Sequence, residues 1–252
     1  RQMCIRDRLY ELAENALELC HASHSYSPAC IFRLRARTRE SLLPACVSAC
    51  ACEDVATAWQ QLDEVSLDTR LKEALKRLGY SHLAPLQVAS LRFARVYENL
   101  LLVAPTGSGK TEAAILPVLE SLLREGGTPI AALYVTPLRA LNRDIHYRMK
   151  ELFEALGYSA EIRHGDTPQS ARRRIAENPP HLLITTPETL QFLLVDKRLR
   201  PALRNVRWVV VDELHELIDD KRGVQLTLAL ERLRLLSPKV RVIGLSATLR
   251  DP

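Results

Sequence analysis

The sequence predicts an α/β fold, in which a parallel sheet carries helices on both faces and follows a small, mainly helical N-terminal segment. Short apolar runs alternate with helical patterns along residues 67–252. Strands that alternate with helices form parallel sheets, because right-handed crossovers return the chain to the same edge. Polar motifs follow the apolar runs directly, at the edge where open α/β sheets bind ligands.

Six apolar runs are expected to form the strands of this sheet. They span 99–103, 130–136, 158–163, 181–185, 206–211 and 240–245. The helical patterns between them span 110–124, 138–156, 168–177, 187–196 and 224–236. Two more helices are expected upstream. Asp68 caps one that reaches Leu78 and ends at Gly79, and Pro85 opens the other.

Residues 1–66 form a separate segment of unassigned role in this interpretation. The pattern over 9–20 is helical, whereas 31–52 fits one or two helices or, because its arginines alternate, a strand. Residues 1–8 resemble the read-through seen in assembled environmental sequences, so they are a candidate non-native extension. A native upstream region is then expected in the parent chain.

All six cysteines lie in this segment, at positions 4, 20, 30, 46, 50 and 52. Zinc binding is one interpretation, since Cys46, Cys50 and Cys52 cluster and Cys20, His21 and Cys30 lie nearby. The spacing matches no pair of CxxC motifs, and Cys50 and Cys52 are tight for two ligands of one ion. Free thiols on amphipathic helices are the favoured interpretation.

The composition sets broad limits on function. The chain has 252 residues, 47% of them hydrophobic, which is enough for a sizeable core. A net charge of +5 mildly favours an anionic partner. No apolar run approaches the roughly 20 residues of a membrane span, and the start has no cleavable signal pattern. We therefore expect a cytoplasmic protein without a membrane partner.

A phosphate-binding loop is predicted between the first strand and the helix at 110–124. Glycines let backbone N–H groups curl around phosphate oxygens, and the new helix directs its positive end at the anion. Lys110 is placed to reach the β- and γ-phosphates, and the Thr111 hydroxyl to bind Mg²⁺. The strict pattern has Gly where this chain has Ala104. The residues expected around the nucleotide phosphates are Pro105, Thr106, Gly107, Ser108, Gly109, Lys110 and Thr111.

An acidic pair supports the same chemistry. Asp212 and Glu213 directly follow the apolar run 206–211, where the carboxyl end of a parallel strand meets its ligand. Asp212 is placed to hold Mg²⁺, and Glu213 to orient and polarise an attacking water. A solvated helix start is the plain alternative for such a pair. It fits poorly after an apolar run and downstream of a phosphate loop.

The order and spacing of the motifs over about 69–252 resemble the first motor domain of superfamily 2 helicases. The segments that carry the resemblance are Asp212-Glu-Leu-His215, Ser246-Ala-Thr248, Pro85-Leu-Gln87, Thr136-Pro-Leu-Arg-Ala-Leu141 and Thr185-Thr-Pro-Glu-Thr-Leu190. Three further segments look most like the large helicase-related (Lhr) branch or its Ski-type neighbours. They are His164-Gly-Asp-Thr-Pro168, Lys221-Arg-Gly-Val224 and Leu228–Leu233.

This resemblance implies a RecA-like P-loop NTPase fold, the cofactors ATP and Mg²⁺, and movement on single-stranded or partly duplex DNA or RNA. Gln87 would read the adenine edge, and Lys110, Asp212 and Glu213 would carry catalysis. Residues that link nucleotide state to nucleic-acid grip would be His215, Ser246 and Thr248. Residues that touch the nucleic-acid backbone would be Pro137, Arg139, Gly165, Thr186 and Pro187.

Other interpretations compete at the weaker positions. Thr186 and Pro187 also read as a plain helix start, with the threonine as cap. The run Arg172–Arg174 is more typical of a solvated helix face than of a nucleic-acid contact. For the whole protein, the alternative to a helicase is a nucleotide-gated clamp, or a translocase that separates no strands. A phosphate-loop kinase or transporter ATPase fits poorly. Such proteins have no reason to contain Thr136-Pro-Leu-Arg139, Thr185-Thr-Pro-Glu188 and Ser246-Ala-Thr248.

The resemblance also implies a second RecA-like domain, which this chain lacks and which the parent chain would supply as a partner. In such enzymes the second domain provides an arginine finger, which is worth roughly 10³ to 10⁵ in rate in related phosphate-loop enzymes. The 252-residue chain alone is therefore expected to bind ATP weakly and to hydrolyse it very slowly.

Overall fold

A computed structural model describes residues 30–34, 59–137, 141–218 and 221–247. Its centre is a seven-stranded sheet with the order β1-β4-β9-β8-β5-β7-β6, and β4 to β9 are all parallel. The strands are β1 (Cys30–Leu34), β4 (Asn99–Val103), β5 (Ala132–Val135), β6 (Ala160–Arg163), β7 (Leu182–Thr185), β8 (Trp208–Val211) and β9 (Arg241–Ser246). The predicted parallel sheet is confirmed, and each predicted strand is present within two residues of its expected ends.

The edge strand β1 runs antiparallel to β4, with Cys30 opposite Val103. The sequence left both a helix and a strand open for 31–52. The part of this range that the structure describes, residues 31–34, is a strand. The predicted helix at 9–20, residues 35–52, and the cysteines other than Cys30 lie outside the described residues. A two-residue antiparallel pair joins β2 (Gln60–Gln61) to β3 (His82–Leu83).

Helices cover both faces of the sheet, as predicted. They are α1 (Thr69–Arg77), α2 (Pro85–Val96), α3 (Lys110–Glu125), α4 (Leu141–Glu154), α5 (Gln169–Glu177), α6 (Pro187–Leu193), α7 (Leu214–Ile218) and α8 (Lys221–Leu236), with a 3-10 turn at Ala202–Asn205. The Asp68 side chain accepts the Arg70 N–H and so caps α1, as expected. Sequence patterning missed α7, whose single turn is too short to show a period.

Side chains alternate across each strand, so the sheet separates two hydrophobic cores. On β5, Tyr134 packs with α2, α3 and α4, while Leu133 packs on the opposite face with α5, α6 and α8. Each fully buried aliphatic side chain contributes about 1.5–3 kcal/mol to stability. The two cores therefore hold the carboxyl ends of the strands, and the polar motifs beyond them, in a fixed arrangement. In the described part of the chain, the search for a helix with the length and hydropathy of a membrane span found none.

Candidate functional site

The predicted phosphate loop lies between β4 and α3. Gly107 and Gly109 have φ angles of 80° and 78°, which glycine adopts without strain. A Cβ on Gly109 would come within 2.7 Å of Gln87 Nε2, so a larger residue here would displace the end of the Gln87 side chain. Ala104 is not among the positive-φ residues, and its buried methyl is accommodated where the strict motif has glycine.

Lys110 begins α3, and its side chain folds back over the loop. Its Nζ donates to the carbonyl oxygens of Ala104 and Pro105 at 2.5 and 2.8 Å. Burial lowers the pKa of Lys110, and the nearby carboxylates of Glu213 and Asp212 oppose that shift. The buried Ser108 hydroxyl has no hydrogen-bond partner within the described residues. The loop thus presents an ammonium group and an unpaired hydroxyl in one cradle, which suits an anion with several oxygens.

Gln87 lies beside this cradle. Its side chain is buried, and its Oε1 accepts the Ala84 N–H at 2.8 Å, which fixes the start of α2. Its Nε2 faces Gly109. The structure therefore brings the predicted adenine-reading residue next to the predicted phosphate loop, although the two are 22 residues apart in sequence.

Asp212 leaves the end of β8 and is held by several hydrogen bonds. Its N–H donates to Val135 O at 2.8 Å. Its Oδ1 accepts the Glu213 N–H at 2.9 Å, and its Oδ2 accepts the Tyr134 hydroxyl at 2.5 Å. The residue is only 6% exposed. A carboxylate this buried needs such donors, because desolvation without them is costly.

Tyr134 is a site residue that sequence reasoning missed. It sits on β5, the strand beside β8, and is fully buried. Burial, followed by the charge of Asp212, raises the pKa of Tyr134 well above its usual value, while a hydrogen bond with the Thr111 side chain opposes the shift. The hydroxyl therefore stays protonated and links Thr111 to Asp212. The signal in sequence was a tyrosine within an aliphatic strand, since a buried hydroxyl needs a partner.

Glu213 adopts a left-handed backbone, with φ of 48°, directly after the metal candidate Asp212. Burial and then the Asp212 charge raise the pKa of Glu213, while His215 and Lys110 oppose the shift. His215 Nδ1 lies 3.5 Å from Glu213 Oε2 and 3.3 Å from Ser246 Oγ. The structure thus brings His215 and Ser246 to the acid pair. Thr248 lies outside the described residues.

The candidate nucleic-acid residues gather at the ends of β5, β7 and β6. Thr186 is the N-cap of α6, where its Oγ1 accepts the Thr189 N–H at 3.4 Å, and Pro187 occupies the first turn. The helix-start interpretation is therefore confirmed, with Thr186 only 2% exposed. Pro137 follows β5 and is also buried. Arg139 lies outside the described residues.

Gly165 follows β6, and its carbonyl accepts the Arg172 guanidinium, which also donates to Thr167 O at 2.7 Å. Arg172 thus braces the loop after β6. Arg174 instead pairs with Glu161 at 3.3 Å on the surface, as expected for a solvated helix face. Within the described residues, no group of three or more His, Cys, Asp or Glu side chains could hold a metal ion.

The strand order divides these residues into two neighbouring groups. The phosphate loop follows β4, the acid pair follows β8 and the coupling candidate Ser246 ends β9 between them, whereas the nucleic-acid candidates that the structure describes follow β5, β7 and β6. Because all six strands are parallel, both groups lie at the carboxyl edge of one sheet. The acid pair after β8 stands at the boundary between them.

Comparison with known proteins identifies similar sequences. The DEAD/DEAH box helicase family model matches residues 85–252. The ATP-dependent helicase Lhr-Core of Methanothermobacter thermautotrophicus is 45% identical over 166 residues, which cover 60% of this chain and 19% of that protein. The Lhr-Core helicase of Methanocaldococcus jannaschii is 39% identical over 200 residues, which cover 73% of this chain and 23% of that protein. The chain thus spans less than a quarter of these relatives.

Solved structures of helicases are also similar to this chain. The structure of Mycobacterium smegmatis helicase Lhr bound to single-stranded DNA and AMP-PNP has a TM-score of 0.65 and 35% sequence identity. It matches 74% of this chain, which covers 25% of the Lhr chain. The DEAD-box helicase Mss116 bound to single-stranded RNA has a TM-score of 0.68 at 23% identity, which supports the fold alone.

Proposed function

This chain belongs to the DEAD/DEAH box helicase family, and on that premise we propose that it is the ATP-binding motor domain of an Lhr-type DNA or RNA helicase. In this proposal it couples ATP hydrolysis to movement along single-stranded nucleic acid. The observation that carries the proposal is the position of the acid pair. Asp212 and Glu213 stand between the nucleotide candidates and the nucleic-acid candidates at one sheet edge.

ATP would lie over the β4–α3 loop. Lys110 would exchange its two carbonyl partners for phosphate oxygens, which are stronger acceptors because they are charged. Residues 106–109 would enclose the phosphates with backbone N–H groups and the Ser108 hydroxyl, and Pro105, which has no N–H, would line the start of the loop. Gln87 would contact the adenine from its position beside Gly109. The structure of the Mycobacterium smegmatis relative contains AMP-PNP, which supports this assignment.

Thr111 and Asp212 would hold Mg²⁺ together with the phosphates, since hydroxyl and carboxylate oxygens are the ligands this ion prefers. When bound, the ion would neutralise charge on the phosphates. Glu213 would act as general base on the attacking water, and its raised pKa favours that role. In this proposal the base and the metal-holding carboxylate come from the one loop after β8, and the phosphate-binding ammonium comes from the start of α3, after the β4–α3 loop.

Nucleic acid would lie across the ends of β5, β7 and β6, at Pro137, Arg139, Gly165, Thr186 and Pro187. Helix N-termini and loop N–H groups contact phosphates without reading sequence, which suits a translocating motor. The relative from Mycobacterium smegmatis binds single-stranded DNA. His215, Ser246 and Thr248 would transmit the nucleotide state to this surface, through the contact between His215 and Ser246.

The proposal also includes the parts that lie beyond this domain. In this proposal residues 67–252 form the motor unit, β1 from the segment 1–66 extends its sheet, and the parent chain supplies the second RecA-like domain. A cytoplasmic location belongs to the same proposal, since ATP and nucleic acid are both available there.

The test is ATP hydrolysis by the full-length parent protein, with and without single-stranded DNA or RNA. We expect stimulation by one polymer and a loss of about 10²–10⁴ in kcat for Glu213→Gln, with nucleotide binding retained. Glu216→Gln is the matched control, because Glu216 lies three residues further along, in α7, and its side chain is exposed. Hydrolysis indifferent to both polymers would refute the motor assignment. A stimulated enzyme that displaces no strand would be a translocase or clamp.

A further inference from the structure

The start of α8 carries an arginine that joins two of the candidate nucleic-acid loops. Arg222 Nε donates to Glu188 Oε1 at 2.5 Å, and its Nη2 donates to Pro137 O at 2.6 Å. Glu188 lies in the first turn of α6, after β7, whereas Pro137 follows β5. One guanidinium therefore holds the ends of two neighbouring strands together.

Glycine fixes the position of this arginine. A Cβ on Gly223 would lie 2.0 Å from the carbonyl oxygen of Leu217, so α8 packs directly on the backbone of α7. Because α7 begins at Leu214, directly after Glu213, the acid pair is linked to Arg222 through one short helix. On its other side α7 reaches the sheet through His215, whose ring contacts Ser246.

The Arg222–Glu188 pair is charged and only partly exposed, with 30% and 35% of the side chains accessible. Burial alone would raise the pKa of Glu188. The hydrogen bonds from Arg222 and the Thr186 hydroxyl outweigh that effect and lower the pKa. The Glu188 carboxylate therefore stays ionised at neutral pH. The geometry needs Arg specifically, because the planar guanidinium donates in two directions at once, which an ammonium group on a lysine stem would not match.

We propose that Arg222 is a positioning residue that couples the segment Asp212-Glu-Leu-His215 to the nucleic-acid loops. The proposal rests on the proposed motor function. When the acid pair responds to ATP, α7 would move against Gly223, and Arg222 would shift Glu188 and Pro137 together. Ion pairs with this degree of exposure contribute little to stability. In this proposal the effect of the pair is therefore on the relative position of the two loops.

The test is thermodynamic linkage in the full-length parent protein. The affinity for a labelled single-stranded oligonucleotide is measured with and without AMP-PNP and Mg²⁺. Coupling between two sites typically amounts to about a 5- to 150-fold change in affinity. The coupling ratio is the oligonucleotide affinity with AMP-PNP divided by the affinity without it. We expect a ratio of this size in the wild-type protein, and a ratio within about 2-fold of one in Arg222→Ala. Affinity for AMP-PNP without the oligonucleotide should be unchanged.

Two further variants make the result specific. Glu188→Gln removes the same ion pair from the other side and should lower the coupling ratio similarly. If Arg222→Ala does not fold, Glu188→Gln alone tests the role of the pair. Arg232→Ala is the matched control, because Arg232 lies on the same helix and donates instead to Gln191 Oε1 at 2.8 Å. It should keep the wild-type ratio.

The outcomes separate this inference from the motor function on which it rests. A wild-type ratio that survives both Arg222→Ala and Glu188→Gln overturns the inference and leaves the motor function standing. Equal loss in Arg232→Ala overturns it too, since any contact between α8 and α6 would then suffice. A wild-type protein whose oligonucleotide affinity ignores AMP-PNP overturns both the inference and the proposed function.

Discussion

At the scale of single residues, the acid pair depends on side chains that sequence motifs do not include. Asp212 is positioned by the Tyr134 hydroxyl, which also reaches the Thr111 side chain. The two residues proposed to bind Mg²⁺ therefore share one hydrogen-bonding partner on the neighbouring strand. Groups that orient metal ligands in this way typically affect metal affinity 10- to 100-fold.

Tyr134→Phe tests this arrangement. The substitution removes the hydroxyl and keeps the ring, so the core packing is preserved. We expect the Mg²⁺ concentration for half-maximal AMP-PNP binding to rise about 10-fold. The melting temperature should also fall, because a buried carboxylate that loses a donor costs about 1–3 kcal/mol. Both are measurable by titration and thermal unfolding.

Tyr158→Phe is the matched control, because its hydroxyl donates to the backbone of Leu122 at 3.2 Å. It should destabilise the domain without changing the Mg²⁺ requirement. If Tyr134→Phe and Tyr158→Phe need the same Mg²⁺ concentration for half-maximal AMP-PNP binding, Tyr134 only supports packing of the core.

At the scale of elements, loops after the strands are held by charged contacts from helices. Asp196, just beyond α6, accepts Arg163 Nη2 from the end of β6 at 2.8 Å and the Arg198 N–H at 3.0 Å. It therefore joins the end of β6 to the region after α6. Arg163 is largely buried, so removal of its partner would leave a charge without compensation.

Asp196→Asn should lower the free energy of unfolding at pH 7 by about 1–3 kcal/mol. Burial raises the pKa of Asp196, but the hydrogen bonds from Arg163 and the Arg198 N–H outweigh it, so the net pKa lies below the ordinary 3.8. A carboxylate with a lowered pKa stabilises the fold above its unfolded pKa, and that contribution disappears as the pH falls through the folded pKa.

The difference between wild type and Asp196→Asn, followed by chemical denaturation, should therefore shrink below about pH 4. Glu161→Gln is the comparison, because its pair with Arg174 is more exposed and longer, at 3.3 Å. It should cost well under 1 kcal/mol at any pH. A pH-independent loss in Asp196→Asn would contradict the electrostatic explanation.

At the scale of the whole molecule, one sheet edge carries both proposed surfaces. Nucleotide candidates occupy the half formed by β4, β9 and β8, and nucleic-acid candidates the half formed by β5, β7 and β6. A motor also needs a partner that closes over the nucleotide. The relatives are several times longer than this chain, which covers 19% and 23% of two of them. We propose that the closing partner is the second RecA-like domain.

The 252-residue chain alone should therefore turn over ATP more slowly than about 1 s⁻¹, the low end of ordinary enzyme rates, even with single-stranded nucleic acid present. The reason is that the proposed second RecA-like domain would supply an arginine finger, which is worth roughly 10³ to 10⁵ in rate. Steady-state hydrolysis by the isolated chain and by the parent protein measures the difference. Stimulated turnover above that rate in the isolated chain would contradict the prediction.

The sequence by itself determined the parallel α/β fold, the strand positions and the family. These signals are local: an apolar run predicts a buried strand, and glycines before Gly-Lys-Thr predict a loop that closes around phosphate. The helix start at Thr186 and the cap at Asp68 were equally predictable, because capping depends on residues close in sequence. The roles of the individual site residues stay predictions.

The tertiary structure alone decided which motifs meet. Tyr134 and Asp212 are 78 residues apart, and Arg222 and Pro137 are 85 residues apart, yet both pairs are joined by hydrogen bonds. No local pattern encodes such contacts. They follow from the strand order, which puts β5 beside β8 and β7, and from the close approach of α8 to α7 at Gly223. The order itself depends on how two cores pack on opposite faces of the sheet, which is a property of the whole chain.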